Sequence, residues 1–400
     1  MAKKISRRNF VKQSTGLVAT GFTSNIFIPE GFSQSQKTLK IGYLPITDAA
    51  PLLIAYAKNF FQDEGLTVPR PKLVRAWSIL AESFMANRFN ITHLLFPIPL
   101  WMRYKNKMPV KVLAWDHTNG SAITVRANSG INNFSDFGGK QIAVPYWYSM
   151  HNMILQMGLR TVGLTPVIRP QSQKLKPNEV NLFILPPPEM PSALLGKKID
   201  GFIVAEPFNA LSEIKLKAKI FRFVGDIWKN HPCCVVVAND KLIKESPVFT
   251  GKITNAIARA QLWLNKNRFE AAKILSTGGM RLLPQSEAVL KRALSAYDVN
   301  VYGSGQQPQA IRHPNWGINR IDFQPYPYPS ATNLIIENMK KTKVEGSTDF
   351  LNQLESRFIV KDLVDDRFVK EAVNNLGGVS QFPQTDINNP WSREEIIAFN

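Results

Sequence analysis

Two cysteines in 400 residues, and those two adjacent, exclude a disulfide framework, which needs several separated pairs. Cys233 and Cys234 are too close along the chain to reach the usual Cα separation of about 5.5–6 Å without distortion. Alternation along a strand would instead place one thiol on each side. No run of about 18 apolar residues occurs, so no membrane-spanning helix is expected. Catalytic signatures are missing as well. There is no Gly-x-Ser-x-Gly elbow, no His-Glu-x-x-His pair and no Walker A loop. The five histidines, His93, His117, His151, His231 and His313, show no metal-ligand spacing along the chain, so neither a metal nor a cofactor is expected. Dense basic blocks are also lacking, and this argues against nucleic acid even though the net charge is +19.

What is present begins with an address. Ser6-Arg7-Arg8-Asn9-Phe10-Val11-Lys12 precedes a modestly apolar stretch and resembles a twin-arginine export signal, with cleavage expected between Phe32 and Lys37. A periplasmic location follows as an expectation, with no membrane insertion of the mature chain. Residues 1–36 carry five Lys or Arg and one Glu, so the remainder keeps a charge of +15 and attracts anions. An apolar content of 44% against 20% charged suits a globular protein of two or more domain-sized units.

Beyond the signal, short apolar runs alternate with helical periodicity. Leu39–Leu44, Lys72–Arg75, Ile91–Phe96 and Val110–Trp115 read as strands, with helices at Ala50–Gly65 and from Ser78 to about Asn87. A second series follows. Gln141–Pro145, Val180–Leu185 and Gly201–Val204 read as strands, with helices over Ser149–Val162, Met190–Leu195 and Phe208–Ala218. Two βαβα series imply open sheets with parallel strands and right-handed crossovers. The last third returns to helices at Ser246–Asn267, Phe269–Ser276 and Pro284–Ala296. An extended arm over Tyr302–Pro329 and helical spacing over 331–376 complete the chain. The class is therefore α/β with two lobes and a helical C-terminal extension. Residues 37–125 form the first part of lobe 1, 126–233 lobe 2 and 234–300 the return to lobe 1. Residues 301–400 form the extension, expected to pack on lobe 1. Ligands favour domain interfaces and the carboxyl ends of strands, which places Tyr43, Pro97, Pro145, Leu185 and Glu206 around one cleft.

Several segments carry a family resemblance. Ile41-Gly42-Tyr43-Leu44-Pro45-Ile46-Thr47-Asp48-Ala49-Ala50-Pro51-Leu52, Asp200-Gly201-Phe202-Ile203-Val204-Ala205-Glu206-Pro207-Phe208 and Gly225-Asp226-Ile227-Trp228 to His231-Pro232 resemble nitrate/sulfonate/bicarbonate-type solute-binding proteins. The nitrate- and bicarbonate-binding branch is the nearest in pattern. The resemblance implies a type II-like periplasmic binding protein fold, capture of a small solute, and two partners, an ABC permease and its cytoplasmic ATPase. It implies no bond-making chemistry. Trp77 and His151 match ligand-contacting positions of that branch. Ser121 stands where those relatives commonly carry Gln. Cys234 follows His231-Pro232-Cys233 where they commonly read Glu-Lys.

Physical reading of the same residues adds detail. Asp48 and Pro51 suit a helix start whose free N–H groups would receive an anion. Tyr146, Trp147 and Tyr148 crowd the entrance to the His151 helix, so a planar organic solute could stack there. The expected ligand-contacting set is Tyr43, Asp48, Trp77, Ser121, Tyr146, Trp147, His151, Glu206 and Cys234. The expected solute is anionic or planar and organic. The competing reading is an exported enzyme on the same fold, of the pyrimidine-precursor synthase kind, or a binding protein that feeds a sensor. Cys233, Cys234 and His231 are the cluster that would serve an enzyme.

Overall fold

Runs of consecutive buried apolar residues, rather than alternating ones, form the central strands, because helices cover both faces of each sheet. The computed structural model describes residues 38–306, 308–382 and 387–399; the expected export signal lies outside them. The first sheet has the order Lys72–Leu73, Ile41–Tyr43, Ile91–Leu95, Cys234–Asn239, Val110–Trp115. The second has the order Lys219–Phe223, Ser121–Val125, Gly201–Ala205, Gln141–Val144, Glu179–Ile184, Thr165–Val167. The fold is α/β, with one of these two sheets at the centre of each lobe.

Neither sheet is wholly parallel. Cys234–Asn239 runs antiparallel to both of its neighbours, and so does Ser121–Val125. These are the strands that arrive from the other lobe. The chain leaves the first sheet at Trp115 and joins the second at Ser121, so the segment between the sheets is 116–120, ahead of the boundary expected between 125 and 126. It returns through 224–233. Asn119 and Gly120 both adopt positive φ, 61° and 80°, which turns the outward crossing sharply. The two crossings press together: a Cβ on Gly225 would lie 2.7 Å from Asn119 Oδ1. A short ribbon, Ile321–Asp322 on Thr118–Asn119, ties the C-terminal arm to this hinge.

Helix Pro247–Lys266 packs on helix Ala50–Ala57 of the first lobe, and helix Arg367–Asn375 packs on Pro247–Lys266. The periodic run expected as one helix over 50–65 is two, because Asn59 takes a left-handed φ of 60° between Ala50–Ala57 and Phe60–Asp63. Nor is the C-terminal extension confined to the first lobe. Asp362 accepts from Arg103 of the first lobe at 2.5 and 2.7 Å. Residues 343–347 instead lie on the second lobe, where Lys343 exchanges hydrogen bonds of 2.8 Å each way with Gln156.

Candidate functional site

Six segments converge where the lobes meet, and each delivers a polar side chain that no solvent reaches. Asp48 comes from the turn after the first strand. His93 lies within Ile91–Leu95, and Asp116 and His117 open the outward crossing. Cys233 and Cys234 close the return. From the second lobe, Ser121 begins its strand and His151 sits in the first turn of helix Met150–Thr161, which Ser149 caps by accepting from Asn152 N at 3.0 Å. All of these are buried, none more than 2% exposed.

The contacts form one connected cluster. Asp48 Oδ2 lies 2.9 Å from His117 Nε2 and 3.2 Å from Cys234 Sγ. Ser121 Oγ is 2.9 Å from His151 Nε2 and 3.7 Å from Cys233 Sγ, and His151 Nε2 is 3.9 Å from the same sulfur. His93 Nε2 accepts from Leu44 N at 3.0 Å, and its Nδ1 lies 3.9 Å from Asp116 Oδ2. Trp77 packs edge-on against the His93 ring, centroids 5.5 Å apart.

Burial sets the electrostatics. It pushes the Asp48 and Asp116 carboxyls up and holds His93 and His231 down to about 3. His117 goes the other way. Burial opposes its charge, but Asp48 beside it outweighs that and raises it well above the usual imidazole range. Burial likewise opposes ionisation of Cys233, yet the Cys234 thiol, His151 and His117 together draw it well below the usual thiol range.

Polar atoms without a protein partner are concentrated here. Asp48 Oδ1, both Asp116 oxygens, His93 Nδ1, His117 Nδ1, His151 Nδ1 and both ring nitrogens of His231 are buried and make no hydrogen bond. Buried polar groups in folded proteins are nearly always satisfied, so these eight orphans mark the cluster as the place suited to receive something polar.

The residues expected from sequence divide into two sets. Asp48, Ser121, His151 and Cys234 come together in the cluster, and Trp77 lines it through His93. Asp48 does not cap the following helix: the N-cap is Ala49, with no side-chain cap, and the Asp48 carboxylate turns into the cluster instead. Tyr43 is spent elsewhere, its hydroxyl donating to Leu282 O at 2.6 Å. Glu206 is held by Arg320 at 2.5 Å and serves as a strut between the second lobe and the C-terminal arm. Trp147 Nε1 donates to Glu345 Oε2 and Tyr148 Oη to Ser347 O, each at 3.1 Å. Buried rings with polar ends need such partners. The polar ends of the two rings are thus taken by the C-terminal segment. Tyr146 is half-buried, its phenol pushed up by burial and then by Glu82 of the first lobe.

Sequence reasoning passed over His117, Asp116 and His93, and named Cys233 only in the cluster that would serve an enzyme. Their spacing gives no motif because they arrive from separate segments, one strand and two crossings. The usable signal was position: His117 and Cys233 each flank a lobe crossing. The two thiols do not face opposite sides. Cys233 precedes strand Cys234–Asn239, so the alternation rule does not reach it, and both sulfurs turn into the cluster.

With that geometry established, similarity to known proteins is informative. The NMT1-like family profile matches residues 33–276. Among curated proteins, the nitrate/nitrite binding protein NrtA of Nostoc sp. is 27% identical over 314 residues, covering 73% of this chain and 67% of that one. The nitrate import ATP-binding protein NrtC of Synechocystis sp. is 27% identical over 238 residues, 56% of this chain but only 34% of its own length. Among solved structures, the periplasmic nitrate-binding protein NrtA from Synechocystis superposes with a TM-score of 0.71 at 20% identity, covering 90% of this chain and 93% of that one.

Proposed function

Because this chain belongs to the NMT1-like family, we propose that it is the solute-capture component of an ABC importer, which encloses a small solute between its lobes and presents the closed form to a membrane permease driven by a cytoplasmic ATPase. The observation that carries this reading is the cluster of buried polar atoms without protein partners where the two sheets meet. Hinge closure about 116–120 and 224–233 accounts for how a solute reaches atoms that are fully buried in the closed form. Capture and release make or break no bond. The twin-arginine sequence supports export to the periplasm as a folded protein.

Nitrate or bicarbonate fits the cluster poorly. Its ionisable side chains are carboxyls, thiols and imidazoles, and among the described residues the buried Arg222 and Arg320 are paired with Asp226 and Glu206. An anion brought beside Asp48 and Asp116 would have no fixed counter-charge of the lysine or arginine kind. A planar organic solute finds Trp147 and Tyr148 already engaged.

Two measurements test the reading. Replacing Arg7 and Arg8 together with Lys should abolish the periplasmic yield of the full chain; an unchanged yield on fractionation rejects the export route. His151→Ala should weaken the solute that co-purifies from the periplasm by roughly 2–10-fold, the worth of one hydrogen bond. Its empty form should also melt below the wild type, because the ring is buried and its Nε2 sits 2.9 Å from Ser121 Oγ. Unaltered affinity in calorimetry would remove His151 from the cluster's binding set.

A further inference from the structure

We propose that part of this cluster is a metal site for a borderline-soft divalent cation of the Zn2+ type, held by Asp48, His117, Cys233 and Cys234. The donor atoms of these four residues all lie within 4.8 Å of one another, and all four side chains are buried. A tetrahedral ion with bonds of about 2.3 Å to sulfur and 2.0–2.2 Å to nitrogen or oxygen sets its ligand atoms roughly 3.3–3.8 Å apart. The observed 2.9 Å between Asp48 Oδ2 and His117 Nε2 and 3.2 Å between Asp48 Oδ2 and Cys234 Sγ need only a few tenths of an ångström of opening.

The donor types choose the ion. Two sulfurs, an imidazole and one carboxylate oxygen suit Zn2+ and its neighbours and do not suit Mg2+ or Ca2+, which take oxygen ligands. Asp48 Oδ1 and His117 Nδ1, the second donor atoms of the same two side chains, are buried without a protein partner. The second lobe supplies the outer contacts: Ser121 Oγ at 3.7 Å and His151 Nε2 at 3.9 Å from Cys233 Sγ. The four donors sit on the first lobe and its crossings, while these outer partners belong to the second. A cation bound in the open form would therefore draw the second lobe down upon it. The inference rests on the capture reading and deepens it: the captured solute is the cation itself, or a small complex carrying it.

The test uses the reduced, full mature chain, stripped with a chelator and titrated with Co2+ alone. One equivalent should produce a thiolate-to-cobalt charge-transfer band and intense tetrahedral d–d bands, and Zn2+ should bleach both. Cys233→Ser and Cys234→Ser should each weaken Co2+ binding by about 100-fold or more, since even loss of an outer-shell partner costs 10–100-fold. Asp48→Asn, which keeps the side-chain volume, guards against a cysteine variant that fails to fold and should weaken Co2+ binding in the same sense. A folded wild-type protein that gives no charge-transfer band overturns the site, as does a band indifferent to both cysteine changes. Mass spectrometry of protein from the native periplasm separates this inference from the capture reading. A metal-free organic solute, or a Cys233–Cys234 disulfide, overturns the metal site and leaves capture standing. No solute of any kind, together with no change in small-angle scattering on adding Zn2+ or periplasmic extract, overturns capture as well.

Discussion

Arg320→Leu should destabilise the protein by about 3–5 kcal/mol, the usual cost of removing one partner from a buried ion pair. The guanidinium is 1% exposed and touches Glu206 through Nε at 2.7 Å and Nη2 at 2.5 Å, and Glu213 through Nη2 at 2.8 Å. It also lies 4.9 Å above the Phe223 ring. Without it, Glu206 keeps only the backbone N–H of Ala210, at 3.0 Å, and a buried carboxylate so exposed to charge imbalance is costly. The effect reaches the hinge, because Arg320 O accepts from Gly120 N and Glu206 O accepts from Thr47 N, both at 2.8 Å. The double change Glu206→Gln with Arg320→Leu should recover much of the loss, since neither buried charge of that pair then remains. Urea unfolding followed by tryptophan fluorescence measures both. A single variant within about 1 kcal/mol of wild type would show that the network is dispensable.

Glu206 also illustrates what the sequence could and could not convey. Its place at the end of a strand made it a plausible ligand contact, and nothing local separates a carboxylate that meets a solute from one that meets an arginine 114 positions later. The strands of the two lobes were legible because buried β-rich runs are bounded by Gly, Pro and Asn. The edge strands Thr165–Val167 and Lys219–Phe223 were not: the first is three residues long with Thr165 exposed, and Lys219 and Arg222 dilute the apolar pattern of the second. His151 was legible from its place in the first turn after a strong Ser cap. His117 and Cys233 were not, for their partnership exists only after two crossings fold against each other. Trp147 is an expected ligand contact and Tyr148 lies beside it, but the polar ends of both rings meet partners near residue 345, in a segment that shows only helical spacing.

His93 should make the protein sensitive to acid in a way that His93→Gln is not. Nε2 accepts a hydrogen bond from Leu44 N at 3.0 Å, so the ring must be neutral there and carry its proton on Nδ1, toward Asp116. Burial, and then the neighbouring His117, hold it down to about 3, although Cys233 pulls the other way. In the unfolded chain the same imidazole takes up a proton below about 6.5. Between those two values the unfolded state holds one proton more, so stability falls as pH falls, by about 1.4 kcal/mol per unit from this residue. Gln does not titrate, and its side-chain oxygen can accept the Leu44 N–H. The advantage of wild type over His93→Gln measured at neutral pH should therefore shrink by about 2.8 kcal/mol at two units below 6.5. Absolute stabilities do not isolate this effect. Asp48 and Asp116, raised by burial, act with the opposite sign over part of the same range. Only the difference between the two proteins cancels them. Parallel urea melts at intervals from pH 7 to 4.5 provide it. A wild-type minus variant difference that stays flat across that range would mean that His93 charges in place, and that the Leu44 N–H does not fix its tautomer.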